Sequence, residues 1–222
     1  MNRLILVALL LTASCAPGAA GKGPPLKLSA NPSEVIAAEL GFAQLVQTKG
    51  QWTAFRDRAA PDAELFAPQR VRAAEWLKGR ADPAVSVTWQ PQAVWSSCDG
   101  SYAVTRGVWQ GPASSGDFAT VWQRQTDGGY KWLLDMSLVQ AQSSPAPEMV
   151  AARVADCARG ATIVPWSPPP SGTDAKQGFS VDRTLQWSSS VDARGERLIM
   201  ALIWNGAAFD EVVRIGGRTS GK

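Results

Sequence analysis

The sequence predicts an α+β fold in which helices come first and antiparallel strands follow. Three observations carry this. Residues 31–50 place apolar side chains at helical spacing between a capping start and a glycine stop. From Val85 onward the apolar residues recur at every second position, with Asp-Gly turns between runs. The last runs of the chain alternate in the same way around an Asn205-Gly206 turn.

In the first helix Asn31 suits the cap, Pro32 the first helical position, and Glu34 stands three residues after the cap. Val35, Ile36, Leu40, Phe42, Leu45 and Val46 form its apolar stripe, and Gly50 stops it. "QWTAFRDRAAPDAELFAP" then predicts a short helical turn and a loop, and "PQRVRAAEWLKGR" a second short helix ending near Gly79. "VSVTWQPQAVWSSC" is strand-like with a break or bulge at Pro91. "SYAVTRGVWQG" is the next strand, entered through Asp99-Gly100.

"GDFATVWQRQTDGGYKWLLDMSL" reads as a hairpin closed by a three-residue loop, Asp127-Gly128-Gly129. That register sets Trp122 opposite Leu134 and Thr120 opposite Met136. Phe118, Trp122, Trp132, Leu134, Met136 and Leu138 then share one face, and Asp135 lies on the other with Lys131 and Gln123. "PEMVAARVADCARG" predicts a helix ending at Gly160, and "PWSPPPSGTDAKQG" a proline-rich connection. "TLQWSSSVDARGERLIMALIWNGAAFDEVVRI" predicts a three-stranded meander whose middle strand, Leu198 to Trp204, is apolar enough to be buried on both faces.

Composition narrows the function classes. Apolar residues make up 45% of the 222 and charged residues 18%, ordinary for a globular chain with a sizeable core. The formal charge is +3, and no Lys/Arg run resembles a nucleic-acid footprint, so no nucleic-acid partner is expected. With no His, the commonest general base and metal ligand is missing. The three Cys lack zinc-ligand spacing, and neither a metal nor a cofactor is expected.

The first residues read as an address. Arg3 precedes an apolar run from Leu4 to Ala13, too short to span a bilayer and followed by small residues. Around Cys15 this resembles a bacterial lipoprotein signal, although Thr12 stands where that pattern usually has Leu. The expected organisation is a signal peptide over 1–14, lipidation at Cys15 and a flexible tether over 15–30. A folded domain over 31–142, a helix and proline-rich linker over 143–170, and the meander over 171–222 would follow. Cleavage after a small residue such as Ala20 would instead release a soluble periplasmic or secreted protein. In an oxidising compartment Cys98 and Cys157 would pair; two buried free thiols are the alternative.

Residues 31–140, through "EVIAAELGFAQLVQTKGQWTAFRDRAAPDAELF", "YAVTRGVWQ" and "GDFATVWQRQTDGGYKWLLDMS", resemble the nuclear transport factor 2-like superfamily, and its SnoaL-like members most. The resemblance implies a cone in which a curved antiparallel sheet wraps the first helix and leaves a pocket at its open end. It places Phe42, Trp52, Tyr102, Arg106, Phe118, Trp122, Trp132 and Met136 as expected pocket residues, with plain core packing as the alternative for the aromatics. Ketosteroid isomerase-like chemistry needs a carboxylate base and an acid or Tyr pair at the oxyanion. The first helix has no Tyr, and the His used in scytalone dehydratase-like chemistry is absent, so those residues do not carry over. Asp135 is the one candidate acid/base; the alternative is an outward Asp paired with Lys131. Arg106 and Arg124 could meet an anion, and Asp57 and Asp62 could rim the pocket or cap loops.

The expectation is therefore an exported, lipid-anchored envelope protein that binds a small apolar molecule or another protein without catalysis. An enzyme using Asp135 as a lone acid/base, and a structural subunit that homodimerises through the outer sheet face, are the alternatives.

Overall fold

The computed structural model describes residues 30–140, 148–157, 161, 162, 164 and 172–218. Cys15, the expected signal and nearly all of the expected tether lie outside the described residues, as does the proline run at 168–170.

Helix α1 (Pro32–Lys49) starts where Asn31 accepts the Ser33 N–H at 3.2 Å, and Gly50 ends it at φ +98°. The face it buries is Val35, Glu39, Phe42 and Val46, whereas Leu40 is exposed. A carboxyl thus occupies the middle of the expected apolar stripe. Helix α2 (Gln51–Arg58) has no cap of its own. Asp82, from a loop far along the chain, accepts the Thr53 N–H at 2.9 Å and its hydroxyl at 2.6 Å. The cap is thus supplied from a distance. These bonds hold the Asp82 carboxyl below its usual range.

Two sheets follow. The larger has seven strands: β1 (Ala59–Phe66), β2 (Arg70–Arg72), β3 (Thr88–Ser96), β4 (Tyr102–Gln110), β5 (Ser115–Arg124), β6 (Tyr130–Val139) and β7 (Ala151–Val154). Their order is β2-β1-β6-β5-β4-β3-β7. A four-residue helix, α3 (Ala73–Trp76), follows β2. The smaller sheet runs β11 (Phe209–Arg218), β10 (Glu196–Trp204), β9 (Leu185–Val191), β8 (Asp174–Phe179). The fold is α+β, with few helices and a curved sheet of many strands.

Several expectations are corrected. Ala59–Phe66, read as part of a loop, is strand β1, parallel to β6. The segment read as a helix over 147–160 holds strand β7, which pairs with β3 and is tied there by the Cys98–Cys157 disulfide. The expected meander gains a fourth strand, β8, at its edge. On β10, Ile199, Ala201 and Ile203 are buried while Leu198, Met200 and Leu202 are only half-buried, so one face of that strand meets the core. At Pro91 the expected bulge is present: the β3–β4 register slips between Pro91 and Ala93.

The β5–β6 register differs most consequentially. Five residues, 125–129, connect the strands, and Arg124 faces Tyr130. Trp122 pairs with Trp132, and Val121 with Leu134, so Leu133 is an extra residue bulged from β6. Beyond it every β6 side chain changes face relative to the expectation. Asp135 and Ser137 turn to the concave side with Thr120 and Phe118; Leu134, Met136 and Leu138 turn to the convex side. Strand β11 packs there, against β5 and β6, and Leu134, Met136 and Leu138 are all buried. Residues of both sheets belong to one continuous core.

Candidate functional site

The concave face of the large sheet carries a polar row across three adjacent strands: Thr105 on β4, Thr120 on β5 and Asp135 on β6. Helix α1 lays Glu39 against one end of it. The Thr105 hydroxyl donates to Glu39 Oε2 at 2.6 Å, Trp89 Nε1 to Oε1 at 2.7 Å, and Trp122 Nε1 to Oε2 at 3.1 Å. Glu39 is 1% exposed. Burial pushes its carboxyl up, and the three donors pull back against that. At the other end the Thr120 hydroxyl donates to Asp135 Oδ2 at 2.8 Å. Burial, only partly offset by this bond, raises the Asp135 carboxyl to about 7, with nearby Glu39 adding to the rise.

Beside Asp135 is a cavity of about 210 Å³. Its walls are mostly aromatic: Trp52 and Phe55 from α2, Trp76 from α3, Trp89 from β3, Trp109 from β4 and Phe118 from β5. Phe42, Phe55, Trp89, Trp52 and Trp76 interlock edge to face at 4.8–6.3 Å between centroids. This edge-to-face arrangement fixes the rings against one another. The polar groups at the wall are Gln51, Thr120, Asp135 and Ser137. Gln51 Oε1 accepts the Val87 N–H at 3.2 Å, so its amide NH₂ is the group it can offer a ligand.

Of the expected site residues, Phe42, Trp52, Phe118 and Asp135 line the cavity. Trp122 and Trp132 are on the same side but fully buried behind it, their indoles bonded to Glu39 and to the Phe55 carbonyl. Tyr102, Arg106 and Met136 are not part of it. They project from the opposite, convex face, because Thr105 and Asp135 beside them face inward. Asp135 does not pair with Lys131 as an outward Asp would; the Leu133 bulge separates their faces. Arg124 bonds to Glu34 at 3.3 Å, away from the cavity. Asp57 and Asp62 are not in its wall, and Asp57 instead lies 3.6 Å from Arg58. Glu39 was not singled out in the sequence, nor were Thr120, Phe55, Trp76, Trp89 and Trp109. The signals for them were present: Trp52 and Phe55 recur at helical spacing, and Trp89 and Trp109 sit at the matched ends of two pairing strands.

No protein-family model matches the chain, and no curated protein does. Among solved structures it is similar to a nuclear transport factor 2-like superfamily protein from Salmonella enterica serovar Typhimurium: 14% identity, 50% of this chain, 92% of that one, TM-score 0.40. A protein described as a candidate ketosteroid isomerase from Parabacteroides distasonis is similar at 14% identity, 52% of this chain, 97% of that one and TM-score 0.40. ActVI-ORFA from Streptomyces coelicolor is similar at 14% identity, 50% of this chain, 98% of that one and TM-score 0.38. No activity passes to this chain from any of them; its chemistry rests on the cavity itself.

Proposed function

We propose that the cavity binds a small, largely apolar molecule, with Asp135 as its polar handle. The observation behind this is the combination of aromatic walls with a single carboxyl whose remaining oxygen has no partner among the described residues. Apolar concavities with a few convergent polar groups are the usual form of ligand sites, and this one is on the small side. Thermal unfolding with 2-phenylethanol as probe tests the proposal. Binding to the folded state raises the melting temperature by linkage. Phe118→Ala weakens the shift, whereas Trp122→Phe, which lies behind the wall, lowers stability and leaves affinity within about twofold. No shift at millimolar probe, with equal behaviour of the variants, would overturn it.

The raised Asp135 carboxyl favours a second reading, acid/base catalysis, because a group titrating near neutrality both accepts and releases protons at working pH. Deuterium uptake from solvent into the α position of cyclohexanone, abolished in Asp135→Asn, supports it; equal uptake in the variant removes it.

We also propose export and lipid anchoring through Cys15, from the sequence pattern of the first residues. Cys15→Ser should move the protein from the membrane fraction to the soluble one, and unchanged fractionation counts against the anchor.

A further inference from the structure

We infer that the ligand of this cavity is a cation: a small apolar amine or ammonium with its charged head on Asp135 and its hydrocarbon part among the indole and phenyl rings. This rests on the cavity being a binding site and adds the charge of what it binds.

Asp135 is the one ionisable side chain among the described residues that line the cavity. From α1 it faces Glu39, a second carboxyl; from β5 it faces Thr120, with Thr105 beyond on β4; its β1 neighbour is Leu65. None of these is basic. An ionised Asp135 accepts one hydroxyl and keeps further acceptor capacity directed to no protein cation. A carboxylate in such surroundings is costly unless paired, and the missing partner is a positive charge. An anionic ligand would meet repulsion from the ionised Asp135. A neutral one would leave the charge uncompensated.

The walls fit the same occupant. Cations are attracted to the faces of indole and phenyl rings, most strongly to Trp. Two wall rings already hold guanidiniums: Arg80 is 3.6 Å from the Trp76 centroid, and Arg70 and Arg197 are 4.9 and 5.6 Å from that of Phe66. Arg70 is committed to Glu64 and Asp174 outside the cavity. Trp52, Trp89, Trp109 and Phe118 have no such cation among the described residues, and they line the space in front of Asp135. Carboxylate and aromatic walls together form a cage suited to an organic ammonium.

The test compares two probes of nearly equal shape, 2-phenylethylamine and 2-phenylethanol, by calorimetric titration. At pH 8 the amine is charged and Asp135 ionised. The amine should bind at least tenfold tighter than the alcohol. The preference should shrink by pH 5.5, where Asp135 takes up its proton and the amine stays charged. Asp135→Asn should cancel the preference, with the larger loss of affinity falling on the amine. Should that variant fail to fold, the pH dependence of the wild-type preference decides alone. Equal or tighter binding of the alcohol at pH 8, or a preference that persists in the variant, overturns the charge assignment and leaves the cavity a neutral binding site. Failure of both probes to bind overturns the binding reading as well.

Discussion

Glu39 is a carboxyl held in the protein interior by two indole N–H groups and a hydroxyl. Burial raises its proton affinity, as it does that of Asp135. Both carboxyls therefore bind a proton more tightly in the folded chain than in the unfolded one, where they titrate near 4.5 and 3.8. Their contribution to stability is fully present below those unfolded values. It is lost as pH rises through the folded values, and for Asp135 that window runs from about pH 4 to about 7. Urea midpoints from pH 4 to 8 should thus fall less in Asp135→Asn than in the wild type, and likewise in Glu39→Gln. Parallel curves would show that neither carboxyl is shifted. Glu39→Ala behaves differently, because it takes the acceptor from Trp89 Nε1 and leaves Trp122 Nε1 and the Thr105 hydroxyl only their second acceptors, Thr105 Oγ1 and the Thr120 carbonyl. A donor left without an acceptor costs about 1–3 kcal/mol, so this variant should be destabilised at every pH. The residue was illegible in the sequence for a physical reason. A Glu at a stripe position looks like an ordinary helical surface residue until the donors that meet it, Trp89, Thr105 and Trp122, are brought in from three strands far along the chain.

At the scale of elements, alternation reveals strands but not their phase. The β5–β6 hairpin was legible as two strands and a Gly-rich turn. Its bulge was not, since one extra residue leaves both halves alternating while inverting their relation. The adjacent Leu133-Leu134 pair is the trace it leaves, both buried though consecutive. This single residue decides whether Asp135 or Met136 faces the cavity. Strand β7 was misread because Val150, Val154 and Cys157 fit helical spacing, and its pairing with β3 is set by tertiary context. The bulge on β3 has a partner requirement that can be checked. Gly107 on β4 lies opposite Pro91, and a methyl group there would overlap the Gln90 carbonyl and approach the Phe118 ring to 2.7 Å. Gly107→Ala should cost about 1–3 kcal/mol or more in urea unfolding, the usual penalty of overpacking. It should also weaken probe binding, since Phe118 is cavity wall. Unchanged stability would mean that β3 yields freely at its bulge.

At the scale of the molecule, the helices and antiparallel strands were legible, but the mutual cover of the two sheets was not. The smaller sheet hides the convex face of the larger, and the joints between them are specific. Asp99 and Asp182, from turns on different sheets, each accept the other's backbone N–H, at 2.9 and 2.8 Å. The Thr184 hydroxyl accepts the Cys98 N–H at 2.8 Å, and Asp156 donates its N–H to the Trp204 carbonyl at 2.8 Å. Between these joints runs the Cys98–Cys157 bridge, spanning 59 residues. Closing a loop of that length is worth about 4 kcal/mol in the chain-entropy account. The Cys98→Ser/Cys157→Ser double variant should therefore unfold at lower urea by about 2–4 kcal/mol. Removing the second sheet, with β7 and the disulfide, should do more. A chain ending at residue 142 would uncover Leu134, Met136 and Leu138 together with Val121 and Ala119 beside them, all buried in the full chain. An apolar patch of that kind is unstable in water and prone to association. The truncated chain should aggregate, or bind an apolar dye and lose its cooperative transition, even though it retains every residue that lines the cavity. If it instead stays monomeric and melts cooperatively, the larger sheet folds on its own even without β7 and the disulfide. The second sheet would then be an addition to it, not part of the same folding unit.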